Sequence, residues 1–408
     1  MSEKLIKFTN CNILRNGVVE TSESLWVRGG KIVHSGGVPD AIVDLASKNA
    51  LIVPGFLDLQ LNGFFGHDFC DVEHIEESID VVSRKIVRYG VTAFCPTIMS
   101  SHPEIYQKIL PKLALQKGRK PDHAEVLGTH IEGPFLAPPK KGCHNAAVFQ
   151  TASNGFADLV TCYGPTIESE DAIAILTVAP ELNGVKTAIR ELKHRNNSIV
   201  VSIGHTQAKF QDAADAVAAG ATMVTHLFNA MEPFHHRDPG LVGFIAQIPE
   251  KDKSDPRPYF GLIADGIHVH PSAVRIGYLA HPDGCILVTD AISVGGVEAD
   301  EFVTGGGVTV QKKSELEVVI KGTNTLAGSI ATIPACVKNL VKFTGCTLAQ
   351  AINTVTLHPA KCLGLSHRMG TLMPGTDADF VILDGFNDDS SEFSITQVYV
   401  NGAFAEFD

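Results

Sequence analysis

The sequence predicts an α/β protein, a (β/α)8 barrel of the TIM type with a small β-sandwich domain built from both chain ends. Three observations support this prediction. Short apolar runs that end in a polar residue recur eight times, amphipathic helical stretches separate most of them, and both chain ends hold short strands with turn signals. The 408 residues leave room for a barrel of about 250 residues and a smaller second domain.

The eight apolar runs are expected to be strands of a parallel sheet that is buried on both faces. They span residues 51–62, 91–97, 124–132, 173–181, 198–206, 221–229, 259–268 and 285–293. Eight strand–helix units favour a closed barrel over an open doubly wound sheet. No GxGxxG motif follows a strand, which argues against a dinucleotide-binding sheet.

The stretches between these runs carry apolar residues at positions i, i+3 and i+4, the pattern of a helix with one buried face. Gly90 and Gly220 lie where helix C-caps are expected. The predicted helices span residues 78–90, 103–116, 184–196, 207–220 and 271–281, followed by 331–345 and 347–359. A glycine-rich insertion at 295–322 has a hairpin-like pattern and is expected to form a β-hairpin. Its glycines do not form a phosphate-binding loop, because the GK[ST] sequence and a following helix are both missing.

The two ends of the chain are expected to meet in one domain. Residues 4–53 and 370–408 hold short strands, and neither segment is long enough to bury a core by itself. The sequence therefore predicts a discontinuous β domain of residues 1–53 and 361–408. A barrel domain of residues 54–360 is expected to lie beside it.

Composition excludes several classes of protein. Hydrophobic residues make up 44% and charged residues 19%, which excludes a disordered chain. The net charge of −12 argues against a nucleic-acid or membrane partner. The nine cysteines form no CxxC pair, so a disulfide framework or a cysteine-rich zinc module is not expected. With no secretory signal and no apolar run of ~18 residues, a cytoplasmic protein is expected.

Barrel enzymes place their chemistry where the strands end, and polar residues end several of the predicted strands. Glu132, His205 and His226 offer one carboxylate and two imidazoles, the ligand set of a catalytic divalent metal with one open position. Zinc suits this set best, and iron, cobalt or manganese would also fit. A single histidine is more often a hydrogen-bonded structural residue, so only the set favours a metal. Asp290 ends the eighth strand and is a candidate acid–base group.

Motifs along nearly the whole chain resemble the amidohydrolase superfamily, and within it the enzymes that deacetylate N-acetylglucosamine 6-phosphate. The motifs are PGFLDLQLNG (54–63), THIEGPF (129–135), SIGHT (202–206), THLFNAM (225–231), FHHRDPG (234–240), ADGIHV (264–269), VTDAI (288–292) and ADFVILDG (378–385). Most of the superfamily ends the first strand with HxH, which holds a second metal, whereas this chain has Gln60 and Asn62 there. Amides are poor ligands for transition metals, so one metal per subunit is expected.

The resemblance implies roles for individual residues. Glu132, His205 and His226 would hold the single divalent cation, and Asp290 would act as base and then as acid. The expected substrate contacts are Gln60, Asn62, Cys143, His144, Asn229, Ala230, Arg237, Asp265, Gly266, Ile267, His268, Leu326, Ala327 and Gly328. The contact at Cys143 is expected through the backbone or packing rather than through thiol chemistry.

Arg237 is also a candidate on physical grounds, because a planar and permanently charged guanidinium suits a phosphate dianion. In a chain of net charge −12, a local cation is needed to hold such a ligand. The alternative for Arg237 is a surface salt bridge to Asp238, and the alternative for His268 is a core or capping role. Lys140 and Lys141 are expected to lie on a solvated loop.

The resemblance implies hydrolysis of the N-acetyl group of N-acetyl-D-glucosamine 6-phosphate, in amino-sugar catabolism or salvage, by a homodimer. Two alternatives stay open. One is another amidohydrolase that acts on a cyclic amide, such as a hydantoinase or dihydroorotase-like enzyme, which is expected to carry HxH on its first strand. The other is a non-catalytic barrel scaffold, which is expected to have lost a metal ligand or the base.

Overall fold

The computed structural model describes residues 4–46, 49–118, 122–169, 172–248, 257–304, 307–387 and 390–406. The N-terminal strands are β1 (Leu5–Arg15), β2 (Val18–Arg28), β3 (Lys31–Ile32), β4 (Ala41–Asp44) and β5 (Leu51–Pro54). The central strands are β6 (Phe56–Leu61), β7 (Gly63–Phe64), β8 (His67–Asp68), β9 (Val91–Ile98), β10 (Glu125–Val126), β11 (Thr129–Glu132), β12 (Ile173–Val178), β13 (Val200–Ile203), β14 (Ala221–Val224), β15 (Tyr259–Leu262) and β16 (Cys285–Leu287). The C-terminal strands are β17 (Glu301–Val303), β18 (Thr309–Lys312), β19 (Val318–Ile320), β20 (Phe380–Asp384), β21 (Ser394–Val400) and β22 (Ala403–Phe404).

The α-helices are α1 (Ile75–Lys85), α2 (Pro103–Gln116), α3 (Phe156–Tyr163), α4 (Val185–Arg195), α5 (Phe210–Ala219), α6 (Gly240–Phe244), α7 (Pro271–Ala280), α8 (Ile333–Thr344), α9 (Leu348–Asn353) and α10 (Leu357–Cys362). Short 3-10 helices span Ile86–Tyr89, Pro138–Lys140, Ala146–Val148, Pro165–Glu168 and Pro282–Gly284. No helix in the described part of the chain combines the length and the apolarity needed to cross a membrane.

The predicted closed parallel barrel is confirmed. Its strands follow the order β6, β9, β11, β12, β13, β14, β15 and β16. The barrel closes between its first and eighth strands, where Leu61 pairs with Ala291 in parallel. Two backbone hydrogen bonds reinforce this closure, from Asn62 N to Ala291 O at 2.8 Å and from Asp290 N to Gln60 O at 2.9 Å. The polar residues that end strands one and eight are thereby brought together.

The predicted helices are present around the barrel, with one misjudged and two, α3 and α6, missed. Helix α2 has the predicted bounds, and Gly90 and Gly220 end their helices in the left-handed conformation, with φ of 77° and 117°. The single helix predicted at 347–359 is wrong. It is divided into α9 and α10, because Pro359 cannot donate a hydrogen bond to the Val355 carbonyl and its ring would clash with that carbonyl in a continuous helix. Helix α3 was missed because it is only eight residues long.

Strands from both chain ends form one eight-stranded sheet, in the order β22, β21, β20, β5, β1, β2 and β3, with β4 also paired to β1. Strands β1 and β21 are three steps apart, which is about 14 Å in a flat sheet. The Phe8 and Tyr399 rings on these strands nevertheless lie 5.1 Å apart. The sheet therefore curls over its own apolar core as the predicted sandwich. The proposed domain boundaries stay a prediction.

The insertion after the eighth barrel strand is a three-stranded antiparallel sheet of β17, β18 and β19, one strand more than the predicted hairpin. It has a small core of its own, which includes Val310, Val318 and Ala327. Residues Ile292 and Val294, which follow the eighth strand, pack into the same core. The insertion is thus fixed against the end of the barrel where the strands terminate.

An ion-pair network joins the barrel to the terminal sheet. The guanidinium of Arg368 contacts Glu125 on β10, and its Nη1 atom lies 2.5 Å from Asp377 Oδ2. Asp377 also contacts Lys31 Nζ at 2.6 Å. Both carboxylates are largely buried, whereas the Lys31 side chain is 49% exposed. The Arg368 cation therefore stabilises two carboxylates that have little access to water.

Replacing Arg368 with methionine is expected to lower the free energy of unfolding by about 3 kcal/mol, because it removes the cation from between two buried carboxylates. Urea denaturation at neutral pH measures this change. Lys31→Met is the matched control, since an exposed ion pair contributes less than about 1 kcal/mol. An equal loss of stability in both variants would contradict the assignment.

Candidate metal centre and substrate cavity

A cavity of about 340 Å³ opens at the carboxyl ends of the barrel strands, a size that suits a small-molecule ligand. The predicted residues that line it are Asn62, Glu132, Cys143, His144, His205, His226, Asn229, Ala230, His268, Asp290, Leu326 and Gly328. A larger groove of about 720 Å³ lies outside the barrel between α3 and α4 and includes none of these residues. Most of the predicted ligand, acid–base and substrate-contact residues therefore lie together in the strand-end cavity.

Three ligand atoms converge at one side of this cavity. The Nε2 atom of His226 lies 3.0 Å from Glu132 Oε1 and 3.1 Å from His205 Nε2. His205 Nε2 is 3.2 Å from the same carboxylate oxygen. All three side chains are buried, and these residues form a group that could hold a metal ion. The structure thus brings together the three residues predicted to be ligands.

The hydrogen bonding of His205 shows why a cation fits among them. Its Nδ1 atom lies 2.7 Å from the carbonyl oxygen of Lys140, which can only accept, so Nδ1 carries the proton. The Nε2 atom then presents a lone pair toward the Glu132 carboxylate. Two acceptors in contact repel each other unless a cation lies between them, and nitrogen and oxygen donors of this kind suit a divalent metal. The backbone role of Lys140 was not foreseen.

Backbone conformation directs these side chains into the cavity. His205, His226 and Asp290 have φ of 47°, 31° and 49°, in the left-handed region that L-residues seldom adopt. Such strain persists only where the surrounding structure enforces it, and it is concentrated at functional sites. The strand-end residues are therefore held in place by barrel hydrogen bonds that no local sequence pattern reveals.

Asp290 is oriented by two amides from the first strand. Its Oδ1 atom accepts hydrogen bonds from Gln60 Nε2 at 3.1 Å and from Asn62 Nδ2 at 2.7 Å. Gln60 also donates to Glu132 Oε1 at 3.2 Å. Gln60 does not line the cavity, so the structure places it behind Asp290 rather than at a substrate. Burial and the Glu132 charge raise the pKa of Asp290 to about 6.

His144 presents a hydrogen-bond donor to the cavity. The backbone N–H of Ser100 donates to His144 Nδ1 at 3.2 Å, so the proton of the neutral ring is on Nε2. This Nε2 atom lies 3.6 Å from Glu132 Oε2. Burial and the neighbouring His205 lower the pKa of His144 to about 4, so the ring is neutral at physiological pH. Burial raises the pKa of the Cys143 thiol to about 12, which argues against thiol chemistry.

A histidine and an amide lie on the opposite side of the cavity. The Nδ1 atom of His268 is 2.6 Å from Asp265 Oδ2, and Asp265 Oδ1 accepts the backbone N–H of Ile267 and of His268, both at 2.8 Å. Asp265 therefore holds His268 in place, and the stretch from Asp265 to Ile267 does not line the cavity. The Nδ2 atom of Asn229 is buried without a hydrogen-bond partner in the described structure, as expected for a ligand-binding donor.

Two further predicted contacts, Arg237 and Ala327, lie away from the cavity. Arg237 is exposed on the loop between β14 and α6, and no carboxylate of the described residues forms an ion pair with it. The carboxylate of Asp238 instead accepts the Phe210 N–H at 3.1 Å. The side chain of Ala327 packs in the core of the insertion. Arg237 therefore forms no salt bridge with Asp238 among the described residues, and it does not line the cavity of its own chain.

Some residues of the cavity wall escaped prediction. They are Met99, Gly142, Ile292, Asn324 and Thr325. All five lie within a few positions of residues or strands that were recognised, but none of them carries a titratable or charged group. Sequence reasoning selects residues by their chemical groups, so wall residues that only shape the cavity give no signal. The insertion loop from 324 to 328 could have been included as a unit, since it is one continuous stretch.

Comparisons with known proteins show which family this chain resembles. Residues 51–404 match the amidohydrolase family. A Danio rerio protein named N-acetylglucosamine-6-phosphate deacetylase is 43% identical over 98% of this chain and 96% of its own length. A protein of Escherichia coli O157:H7 named N-acetylgalactosamine-6-phosphate deacetylase is 31% identical over 97% of this chain and 100% of its own. The crystal structure of the Pasteurella multocida N-acetylglucosamine-6-phosphate deacetylase has a TM-score of 0.81 at 28% identity, covering 98% of this chain and 99% of that one.

Replacing Glu132 with glutamine is expected to weaken zinc binding more than about 100-fold, because even the loss of a group that only supports a ligand costs 10–100-fold. Competition with a chromogenic chelator measures the affinity. Glu191→Gln is the matched control, since Glu191 lies outside the barrel and accepts the Phe156 N–H. Unchanged zinc affinity in the Glu132 variant would remove this residue from the ligand set.

Proposed function

The chain belongs to the amidohydrolase family, and we propose that it hydrolyses N-acetyl-D-glucosamine 6-phosphate to D-glucosamine 6-phosphate and acetate. The observation that carries this proposal is the convergence of Glu132, His205 and His226 opposite Asp290 in one cavity. The substrate is inferred from the names of the relatives. The relative named for N-acetylglucosamine 6-phosphate is 43% identical and the relative named for the galactosamine epimer is 31% identical, which favours the glucosamine substrate. The corresponding role is amino-sugar catabolism or salvage.

Glu132, His205 and His226 are proposed to hold a single divalent cation, and zinc suits this ligand set best. When bound, such a cation acts as a Lewis acid and lowers the pKa of a coordinated water toward ~7. Gln60 and Asn62 lie where a binuclear amidohydrolase carries two histidines, and the amide N–H groups of both donate hydrogen bonds to Asp290 Oδ1. This arrangement supports one cation per chain.

Asp290 is proposed as the general base and then the general acid. Two amides hold its Oδ1 atom, which leaves Oδ2 to take a proton from the attacking water. The same oxygen returns the proton to the amine nitrogen as the carbon–nitrogen bond breaks.

His144 is proposed to stabilise the charge that develops on the carbonyl oxygen. Its Nε2–H points into the cavity because the Ser100 N–H occupies the other ring nitrogen. A neutral imidazole donates a hydrogen bond without giving up its proton, and a donor held in place before the reaction needs no reorganisation. The cavity shields this interaction from water, which increases its strength.

The sugar phosphate is proposed to bind on the other side of the cavity. His268, Asn229 and Ala230 line that side, and Asn229 offers an unused donor there. The pairing of His268 with Asp265 leaves Nε2 available to the ligand. Leu326 and Gly328 lie on the cavity wall formed by the insertion. These contacts would fix the amino sugar so that its acetamide faces Asp290.

A homodimer is proposed to complete the phosphate site. Arg237 is exposed away from the cavity of its own chain, and Phe234 on the same loop is 61% exposed. An exposed aromatic next to an uncompensated cation suits a subunit interface. In this arrangement Arg237 would reach the phosphate in the cavity of a second copy.

A cytoplasmic location stays a prediction from the cysteine pattern, and none of the nine cysteines, all within the described ranges, forms a disulfide.

Replacing Asp290 with asparagine is expected to lower kcat by about 10³-fold, because general acid–base catalysis contributes 10²–10⁴-fold. Zinc content and the Kd for substrate should change little, since asparagine preserves the shape of the side chain. Acetate release measures kcat, and calorimetry measures substrate binding. Turnover near that of the parent protein would exclude Asp290 as the base.

The same assays on the parent protein distinguish the alternative functions. Hydrolysis of a cyclic amide or imide instead of the amino sugar would favour the hydantoinase-like alternative, and no hydrolysis of either would favour a scaffold.

Replacing Arg237 with alanine is expected to raise KM for the phosphorylated sugar about 10–100-fold, because a hydrogen bond to a charged group contributes about 1.5–3 kcal/mol. The kcat value should remain close to that of the parent. Arg190→Ala on the outside of the barrel is the control. If the parent hydrolysed unphosphorylated N-acetylglucosamine equally well, a phosphate site would not be needed.

A further inference from the structure

A second, smaller pocket adjoins the catalytic cavity. This side pocket has a volume of about 60 Å³ and is walled on its far side by Val308, Val310 and Ala327 of the insertion. Asn62, Met99, Cys143, His144 and Ile292 line both the side pocket and the cavity. The two spaces are therefore separated only by side chains that face both of them. Nothing in the function proposed above uses the side pocket.

The position of the side pocket relates it to one half of the substrate. Met99 follows the second barrel strand, Cys143 and His144 lie in the loop after the third, and Asn62 follows the first. Asn229 and His268 follow strands six and seven, which lie opposite strands two and three in a closed eight-stranded barrel. If the sugar occupies the side of strands six and seven, the acyl substituent of the amide points toward the side pocket.

The chemistry of the side pocket suits a short hydrocarbon chain. Val308, Val310, Ala327 and Ile292 give it an apolar wall. The carboxylate of Asp68, which also lies on the wall, accepts hydrogen bonds from Cys70 N at 2.8 Å and from Ser293 Oγ at 3.4 Å. Its charge is thus already engaged by its own surroundings. Ser100, Ser101, Asn145 and Thr304 also line the pocket, but most of its lining surface is apolar. Such a surface favours carbon over water, and burial of one methylene strengthens binding about fourfold.

We propose that the side pocket receives the distal carbons of N-acyl groups longer than acetyl, so that the protein also hydrolyses N-propanoyl- and N-butanoyl-glucosamine 6-phosphate. This proposal rests on the function proposed above, because it assigns the acyl side of that same site. The side pocket has a volume of about 60 Å³, against about 340 Å³ for the whole cavity, which suits a short extension of the acyl group. One or two methylenes beyond the acetyl methyl therefore fit, and a long acyl chain does not.

The insertion sets this acyl-length preference. Val308 and Val310 lie at the start of β18, on the face that closes the side pocket. Val308 is only partly buried, so a larger side chain at this position changes the pocket without overpacking a sealed core. Val308 has no part in the metal set, in Asp290 orientation or in the sugar side of the cavity. It is therefore a specificity residue that can be changed independently of catalysis.

The test compares kcat/KM of the zinc-loaded protein for N-acetyl-, N-propanoyl- and N-butanoyl-glucosamine 6-phosphate, with detection of the released glucosamine 6-phosphate. In the parent, the propanoyl value should lie within about fivefold of the acetyl value. A site that lacks room for a methylene discriminates about 10–200-fold. Val308→Phe should therefore lower the propanoyl and butanoyl values at least about tenfold and leave the acetyl value within about twofold. Val308→Ala should raise the butanoyl value.

Ile320→Phe is the matched control, because Ile320 packs against the same core of the insertion but does not line the side pocket. It should leave the three substrates in their parental ratio. A parent that rejects the propanoyl substrate more than about 100-fold overturns the acyl pocket while acetyl hydrolysis still supports the proposed function. The acyl pocket is also overturned if Val308→Phe lowers kcat/KM equally for all three substrates and Val308→Ala does not raise kcat/KM for the butanoyl substrate. Absence of acetyl hydrolysis in the parent instead overturns the proposed function itself.

Discussion

The site depends on one electrostatic constraint, the contact between buried acceptor atoms of Glu132 and His205. The Lys140 carbonyl fixes the proton of His205 on Nδ1, so Nε2 faces the Glu132 carboxylate with a lone pair at 3.2 Å. This contact is repulsive unless positive charge lies between the two atoms. The barrel thus stabilises a carboxylate in a position that suits a cation.

Closure of the barrel brings Asp290, the proposed acid–base group, close to the proposed ligand set. The pairing of the first strand with the eighth brings Gln60 and Asn62 against Asp290, and both amides donate to the same carboxylate oxygen. One substitution pattern, amides in place of the HxH histidines, therefore has two effects. It removes the ligands of a second metal, and it leaves one oxygen of Asp290 directed to the cavity. The insertion then covers the side of the cavity that adjoins the side pocket.

The eight strands, most helices and the convergence of Glu132, His205 and His226 could be predicted, because apolar periodicity marks the strands and strand ends collect the polar groups. Helix α3 was missed because eight residues give too short a periodic pattern. The break between α9 and α10 could have been predicted, because Pro359 has no N–H to donate to the Val355 carbonyl of a continuous helix. The roles of the Lys140 carbonyl and the Ser100 N–H are invisible in sequence, since every residue carries the same backbone groups. Gln60 was expected at the substrate, but only the closed barrel shows that it reaches Asp290.

X-ray absorption spectroscopy at the zinc edge, combined with the zinc content of the protein, tests the central claim most directly. The account predicts one zinc per chain in a shell of nitrogen and oxygen atoms, with the outer-shell scattering of two imidazoles and no sulfur. Two zinc ions per chain, or a zinc ion coordinated by cysteine sulfur, would contradict the claim that one carboxylate and two histidines hold a single cation.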